Sequence, residues 1–147
     1  MLQTHPTVIT DIHALPDVRR MVVLIPENEK LDEYFLGCCI HKLARIHSSD
    51  ILYLSVIQNY DNESRTQMKL DDLANISRDL HNYVTSELYD GISWLKAVQA
   101  VWKPGDLVVC LDGHTIREWG FRHVAISEYL VARLGVTVYV FSNGSEI

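Results

Sequence analysis

Hydrophobic positions in this chain fall into short runs separated by longer amphipathic stretches. The runs Met21–Ile25 and Leu107–Leu111 are continuous, and Ile51–Ile57 and Val136–Phe141 are broken only by Ser55 and Thr137, the pattern of strands covered on both faces. Pro26 ends the first ladder, and Asn28 is positioned to cap a helix from about Glu29 to Ile46. Its inward stripe is Leu36, Cys39, Ile40, Leu43 and Ile46, at i, i+3, i+4, i+7 and i+10. Strand, long helix, strand implies a parallel pair with a right-handed crossover.

Residues 58–66 are polar and turn-prone, which predicts a loop at the carboxyl edge of the second strand. A second helix is expected from Gln67 to Asn82, with Leu70, Leu73, Ser77 and Leu80 inward and Asp71, Asp72, Arg78 and Asp79 outward. Tyr83–Tyr89 alternates weakly and reads as a short third strand, with a helical continuation as the rival reading. Asp90 or Ser93 then caps a helix whose Leu95, Val98, Val101 and Trp102 share a face. Lys103-Pro104-Gly105-Asp106 is a type II turn pattern in which Gly105 supplies the positive φ, and it delivers the chain into the fourth strand. Thr115–Phe121 follows as a loop, then a helix through Leu134 with Val124, Ser127, Leu130, Val131 and Leu134 toward the sheet and Gly135 as C-cap. Val136–Phe141 is the fifth strand. Residues 1–18, interrupted by Pro6 and Pro16, read as a lead-in or linker, 19–142 as one domain and 143–147 as a tail. The pattern predicts an open five-stranded parallel α/β sheet with helices on both faces.

Composition narrows the function classes. With 147 residues, 48% of them apolar, the chain is sized for one globular core. A net charge of -6 and no basic patch exclude a nucleic-acid surface, whose affinity comes from clustered Lys and Arg. No apolar run approaches the ~20 residues of a membrane span and no secretory leader is visible, so a soluble cytoplasmic domain is expected, free-standing or as the soluble part of a membrane protein. The three cysteines, two of them adjacent at Cys38-Cys39, read as reduced core thiols.

Candidate chemistry gathers after the fourth strand. In a parallel sheet ligands bind outside the carboxyl ends of strands, where Asp112, Gly113 and His114 stand. Arg117, Arg122 and His123 follow in the same loop, and arginine pairs with phosphate or carboxylate; charges that cap the next helix or face water explain them equally. Asp112, His114 and His123 have irregular spacing, so no metal site is assigned. His41 and His47 read as solvated helix positions, Ser127 and Cys110 as structural, Ser55 as buried, and Trp94 and Trp102 as packing residues. A Rossmann dinucleotide site requires glycines after the first strand, where the chain has Pro26-Glu27-Asn28-Glu29-Lys30. A Walker loop is absent. A phosphate-accepting receiver would want a Lys after the fifth strand, which instead ends Phe141-Ser142-Asn143.

The order of elements over residues 20–141, and above all Ile126-Ser127-Glu128-Tyr129-Leu130-Val131-Ala132-Arg133 followed by Val136-Thr137-Val138-Tyr139-Val140, resembles the universal stress protein superfamily, with its Ser-Glu-Tyr-containing last helix and final apolar strand. The resemblance implies strand order 3-2-1-4-5 and a homodimer through the last strand, here Val136, Val138, Val140 and Phe141. The last strand is also expected from chemistry to pair, as an unblunted apolar edge of the sheet. ATP-binding members carry an Asp at the end of strand one, where this chain has Pro26 or Glu27. They also carry Gly, two residues, Gly, nine residues, then Gly-Ser or Gly-Thr. Here Val124-Ala125 stands at that last pair, and Gly113 and Gly120 are too far apart for the first. With Val124 and Ala125 in place of the flexible glycine and the hydroxyl at the helix N-terminus, phosphate loses its cradle, so no cofactor is expected and adenine nucleotide is not bound in the usual way. Ligand candidates are Pro26, Glu27, Asp112, Gly113, His114, Arg117 and Arg122.

The implied role is a non-catalytic sensor or regulatory domain. Residues 92–109 look most like the cytoplasmic tails of cation/proton antiporters, which makes a membrane transporter a candidate partner. The competing reading is a nucleotide hydrolase or transferase that uses Asp112, His114 and the nearby arginines.

Overall fold

The computed structural model describes residues 7–11, 17–27, 29–118 and 122–142. Its elements are β1 (Val8–Ile9), β2 (Arg20–Leu24), α1 (Glu33–His47), β3 (Asp50–Ile57), α2 (Glu63–Ser77), β4 (Val84–Asp90), α3 (Trp94–Val101), β5 (Asp106–Leu111), β6 (Thr115–Glu118), β7 (Arg122–Ala125), α4 (Ile126–Leu134) and β8 (Val138–Phe141). Six strands form one sheet in the order β1-β8-β5-β2-β3-β4, every neighbouring pair parallel. Within it, β4-β3-β2-β5-β8 is the order 3-2-1-4-5 that the resemblance implies, extended by one strand.

The apolar runs form central strands because successive side chains must be buried on opposite faces. Met21, Val23 and Ile25 pack with Leu36, Ile40, Leu43, Leu70 and Leu73 beneath α1 and α2. Val22 and Leu24 pack with Val98, Val101, Ile126 and Leu130 beneath α3 and α4. The buried side chain of Asp106 is held by Arg20 at 2.7 Å, by Arg19 at 3.3 Å and by the Lys103 N–H at 2.8 Å. These contacts fix the lower end of the sheet around a type II turn in which Gly105 has φ +93° and Asp106 N–H donates to Lys103 O. Ser93 caps α3 and Gly135, at φ 65°, caps α4, both as expected.

Several expectations are corrected. The first helix begins at Glu33, with Asp32 as its N-cap accepting from Phe35 N–H; Asn28 lies outside the described residues. Ile46 is 65% exposed, because by the last turn it has rotated off the sheet-facing stripe and Ala44 takes the inward place. The stretch 58–66 is not a loop throughout: Tyr60–Asn62 is a 3-10 turn and α2 starts at Glu63. That helix ends at Ser77. The Asp79 carboxylate accepts from His81 and Asn82 N–H and the Asn82 amide oxygen accepts from Asp79 N–H, side-chain bonds that compete with helix continuation. Leu80, expected inward, is therefore 98% exposed. His41, expected to be solvated, donates or accepts at 2.7 Å with Asp79.

The segment after β5 departs most. Residues 115–118 and 122–125 form an antiparallel hairpin with Ile116 opposite Val124 and Arg117 opposite His123. Val124 therefore belongs to β7 rather than to the last helix, which starts at Ile126. The lead-in contributes as well. Val8 and Ile9 pair with Val138 and Tyr139, so β8 is not the terminal strand and its outer edge is covered.

Candidate functional site

Two adjoining clefts open at the carboxyl end of the sheet, separated by the β2–α1 connection. The smaller, about 200 Å³, is lined by Glu29, Lys30, Leu31, Asp32, Leu36, Leu111, Asp112, Phe141 and Ser142. The larger, about 540 Å³, shares Glu29, Lys30 and Leu31 and adds Glu27, Glu33, Arg65, Met68, Lys69 and Asp72. Only the larger falls in the usual volume range for a small-molecule site, ~300–1,000 Å³.

Two tethers set the connection between them. Glu27 accepts from Gln58 N–H at 2.9 Å, Asn59 N–H at 3.1 Å and Asn62 Nδ2 at 2.7 Å. Burial raises its pKa, but these hydrogen bonds, with the Arg65 charge nearby, more than offset it and hold the carboxyl below its usual value. The strand-end acid thus joins the two loops at the sheet's edge. Lys69, 9% exposed, extends beneath the connection and donates to Glu29 O at 3.2 Å, with Pro26 O at 3.5 Å. Burial lowers its pKa; Glu33 and Glu29 pull the other way and Arg65 adds to the lowering. Glu33 is raised by burial and by repulsion from Asp72.

The sequence candidates divide between this edge and places away from it. Pro26 and Glu27 lie in the connection, and Asp112 lines the smaller cleft while its N–H donates to Phe141 O. Gly113 occupies the turn at φ +85°. His114 is turned to the opposite face: it is 6% exposed, its ring stands edge-on to Trp94 at 5.1 Å, and Nδ1 has no hydrogen-bond partner among the described residues. Burial lowers its pKa to about 4, so the ring is neutral at pH 7 and lines neither cleft. Arg117 and Arg122 are exposed on the hairpin. Because Arg117 pairs with His123 and Arg122 with Glu118, the two arginines alternate to opposite faces and do not form one clamp. Val136, Val138 and Phe141 are buried in the chain's own core, and Val140 is half-buried.

Sequence reasoning missed Lys69, Arg65, Asn62 and Asp32. A signal for Lys69 exists in the spacing of Thr66, Leu70, Leu73 and Ser77, all buried, which places position 69 on the inner side of α2. Chemically, the clefts offer carboxylates interleaved with cations, and neither lining includes a histidine or cysteine. Among the described residues, no three or more His, Cys, Asp or Glu side chains converge to hold a metal, and no helix is long and apolar enough to cross a membrane.

No family model matches the chain and no curated protein matches it. Among solved structures it is similar to Universal stress protein UspA from Lactobacillus plantarum, with a TM-score of 0.49 and 14% identity over 85% of this chain and 98% of that one. A likeness of that size carries no weight for ligand, partner or role.

Proposed function

We propose that the chain is a non-catalytic, universal stress protein-like sensor or regulatory domain that does not bind ATP in the usual way. It acts in the cytoplasm, forms a homodimer through β8 when β1 leaves that edge free, and serves as the regulatory module of a cation/proton antiporter. The observation that carries the non-catalytic part is the fate of the two best candidates for chemistry. Glu27 is held by three hydrogen bonds to the next loop, and His114 is buried against Trp94. The smaller cleft keeps Glu29, Asp32 and Asp112 against the single cation Lys30, a setting that repels a polyphosphate near the start of α1, where a helix dipole would otherwise favour one. The transporter association rests on the resemblance of residues 92–109 to antiporter tails.

A thermal-shift panel of ATP, AMP, cyclic dinucleotides and divalent metals tests this reading. A ligand present at a hundred times its Kd stabilises by about 2.7 kcal/mol, roughly 5–10 °C for a domain of this size. No nucleotide is expected to produce such a shift. A shift with ATP accompanied by phosphate release would establish the hydrolase reading instead.

A further inference from the structure

The geometry points to residues 7–9 as a built-in strand that holds the β8 edge closed against a second copy of this chain. The inference takes the β8 dimer from the functional reading and adds what controls it.

Backbone directions define the edge. Asp112 N–H donates to Phe141 O and Val108 N–H to Thr137 O, so residues 137, 139 and 141 direct their peptide groups to β5 and residues 138 and 140 direct theirs outward. Val138 N–H donates to Thr7 O at 3.1 Å. In a parallel ladder with Val8 opposite Val138 and Ile9 opposite Tyr139, Ile9 is the residue whose own N–H and C=O both point to β8. β1 therefore satisfies the outward groups of β8, although it is only two residues long. Its two side chains, Val8 and Ile9, are only half-buried, Ile9 against the core, and the flanking Thr7 and Thr10 are exposed.

The opposite edge is protected by different means. β4 carries exposed Glu87 and Asp90, and Arg78 donates to Val84 O at 3.4 Å, devices that discourage edge pairing. β8 reads Val-Tyr-Val-Phe with no charge. With β1 lifted away it is an uncharged, apolar, regular edge, of the kind that templates another strand. A second copy is the occupant that fits, because an antiparallel pair of identical edges about a two-fold axis is self-complementary and places no like charges opposite one another even though each chain carries a net charge of -6. Cis pairing by β1 and trans pairing by a second β8 use the same peptide groups and exclude each other.

Four proteins measured by size-exclusion chromatography with light scattering, from low micromolar concentration upward, test the inference: the full chain, the chain lacking residues 1–11, Ile9→Pro in the full chain, and the truncated chain carrying Val140→Pro. The truncation and Ile9→Pro, which removes the N–H directed at β8, are expected to self-associate at least roughly tenfold more tightly than the full chain. Val140→Pro removes an outward N–H without touching the β5 ladder and is expected to return the truncated chain to monomer. A peptide of residues 1–11 added in excess is expected to dissociate the truncated dimer. The same dimerisation in full and truncated chains would overturn the strand's role while leaving the β8 dimer standing. Monomers throughout would remove both. Loss of the circular-dichroism signature of the fold in both the truncation and Ile9→Pro would also overturn it, since β1 would then be integral rather than removable. None of these outcomes bears on the ligand panel.

Discussion

His114 shows how one residue can be at the expected place in the chain and unsuited to the expected chemistry. Its peptide group closes the turn after β5, with its N–H donating to Leu111 O and its carbonyl accepting from Ile126 N–H. Its ring, however, is packed on Trp94, and Nδ1 has no partner among the described residues. The consequence is a pH dependence of known sign. The folded pKa is about 4 against an ordinary 6.5, so between those values the unfolded chain holds more protons. Stability is then fully present above pH 6.5 and is lost as pH falls toward 4, by roughly 3 kcal/mol. His114→Leu is expected to be neutral or stabilising at pH 7, because no hydrogen bond to Nδ1 is lost, and to flatten denaturant-derived stability between pH 6.5 and 4. An unchanged slope in the variant would show that the ring titrates normally. Glu27 gives the complementary case. The sequence placed an acid at a strand end, and only the structure revealed that Gln58, Asn59 and Asn62, some thirty residues on, complete its hydrogen bonding.

Among the elements, α1 and α2 show a constraint that helix propensity hides. Gly37 is buried in mid-helix, and an added Cβ would sit 2.6 Å from Ile76 Cγ2 and 2.9 Å from Ile76 Cβ. Its carbonyl accepts from Ser77 Oγ, which in turn bonds the buried Tyr53 hydroxyl, so the two helices and β3 are locked at one point. On an exposed helix Gly→Ala gains about 1 kcal/mol. Here overpacking reverses the sign, and Gly37→Ala is expected to cost about 1–3 kcal/mol in chemical denaturation. Ile76→Ala in the same chain is expected to recover part of that cost as a positive coupling in a double-mutant cycle. What was legible in the sequence follows the same division. The central strands, Ser93, Gly105 and Gly135 were readable because their signals are local and their burial is two-sided. The β6–β7 hairpin was not, because Arg117, Glu118, Arg122 and His123 separate Ile116 from Val124 and Ala125, and helix-like spacing continues from Val124 into α4. The start of α2 was hidden by polar first-turn residues, and its end by a turn held through Asp79 and Asn82. Of the candidate site, Asp112 and the connection at Pro26–Glu27 were legible from topology, whereas Lys69 is passed over unless the inward register of Thr66, Leu70, Leu73 and Ser77 is applied to it, since a lone lysine otherwise reads as solvent-facing.

At the scale of the whole molecule, the sheet is closed by its most distant residues. The β2–β3 and β3–β4 pairs join neighbours in sequence across single helices, whereas β1 meets β8 across some 130 residues, from Val8 to Val138. Loop closure over such a span is opposed by chain entropy until the rest of the sheet exists, which places β1 among the last elements to dock. Ile9→Ala is therefore expected to cost ~1 kcal/mol and to appear almost wholly as faster unfolding, with the refolding limb of the chevron unmoved. A slowed refolding limb would place β1 in the nucleus instead.

The same span has a meaning during synthesis. Val8 leaves the ribosome long before Val138 is made, and at 5–20 residues per second the interval is roughly 7–26 s. Throughout that time residues 7–9 have no β8 to join. On a polysome, where neighbouring nascent chains are crowded, one chain's finished β8 meets the idle β1 of a younger chain in competition with its own, which the tether favours. The sheet edge is thus a matter of timing as well as geometry, and the pace of translation sets how long β1 waits for the β8 of the chain that carries it.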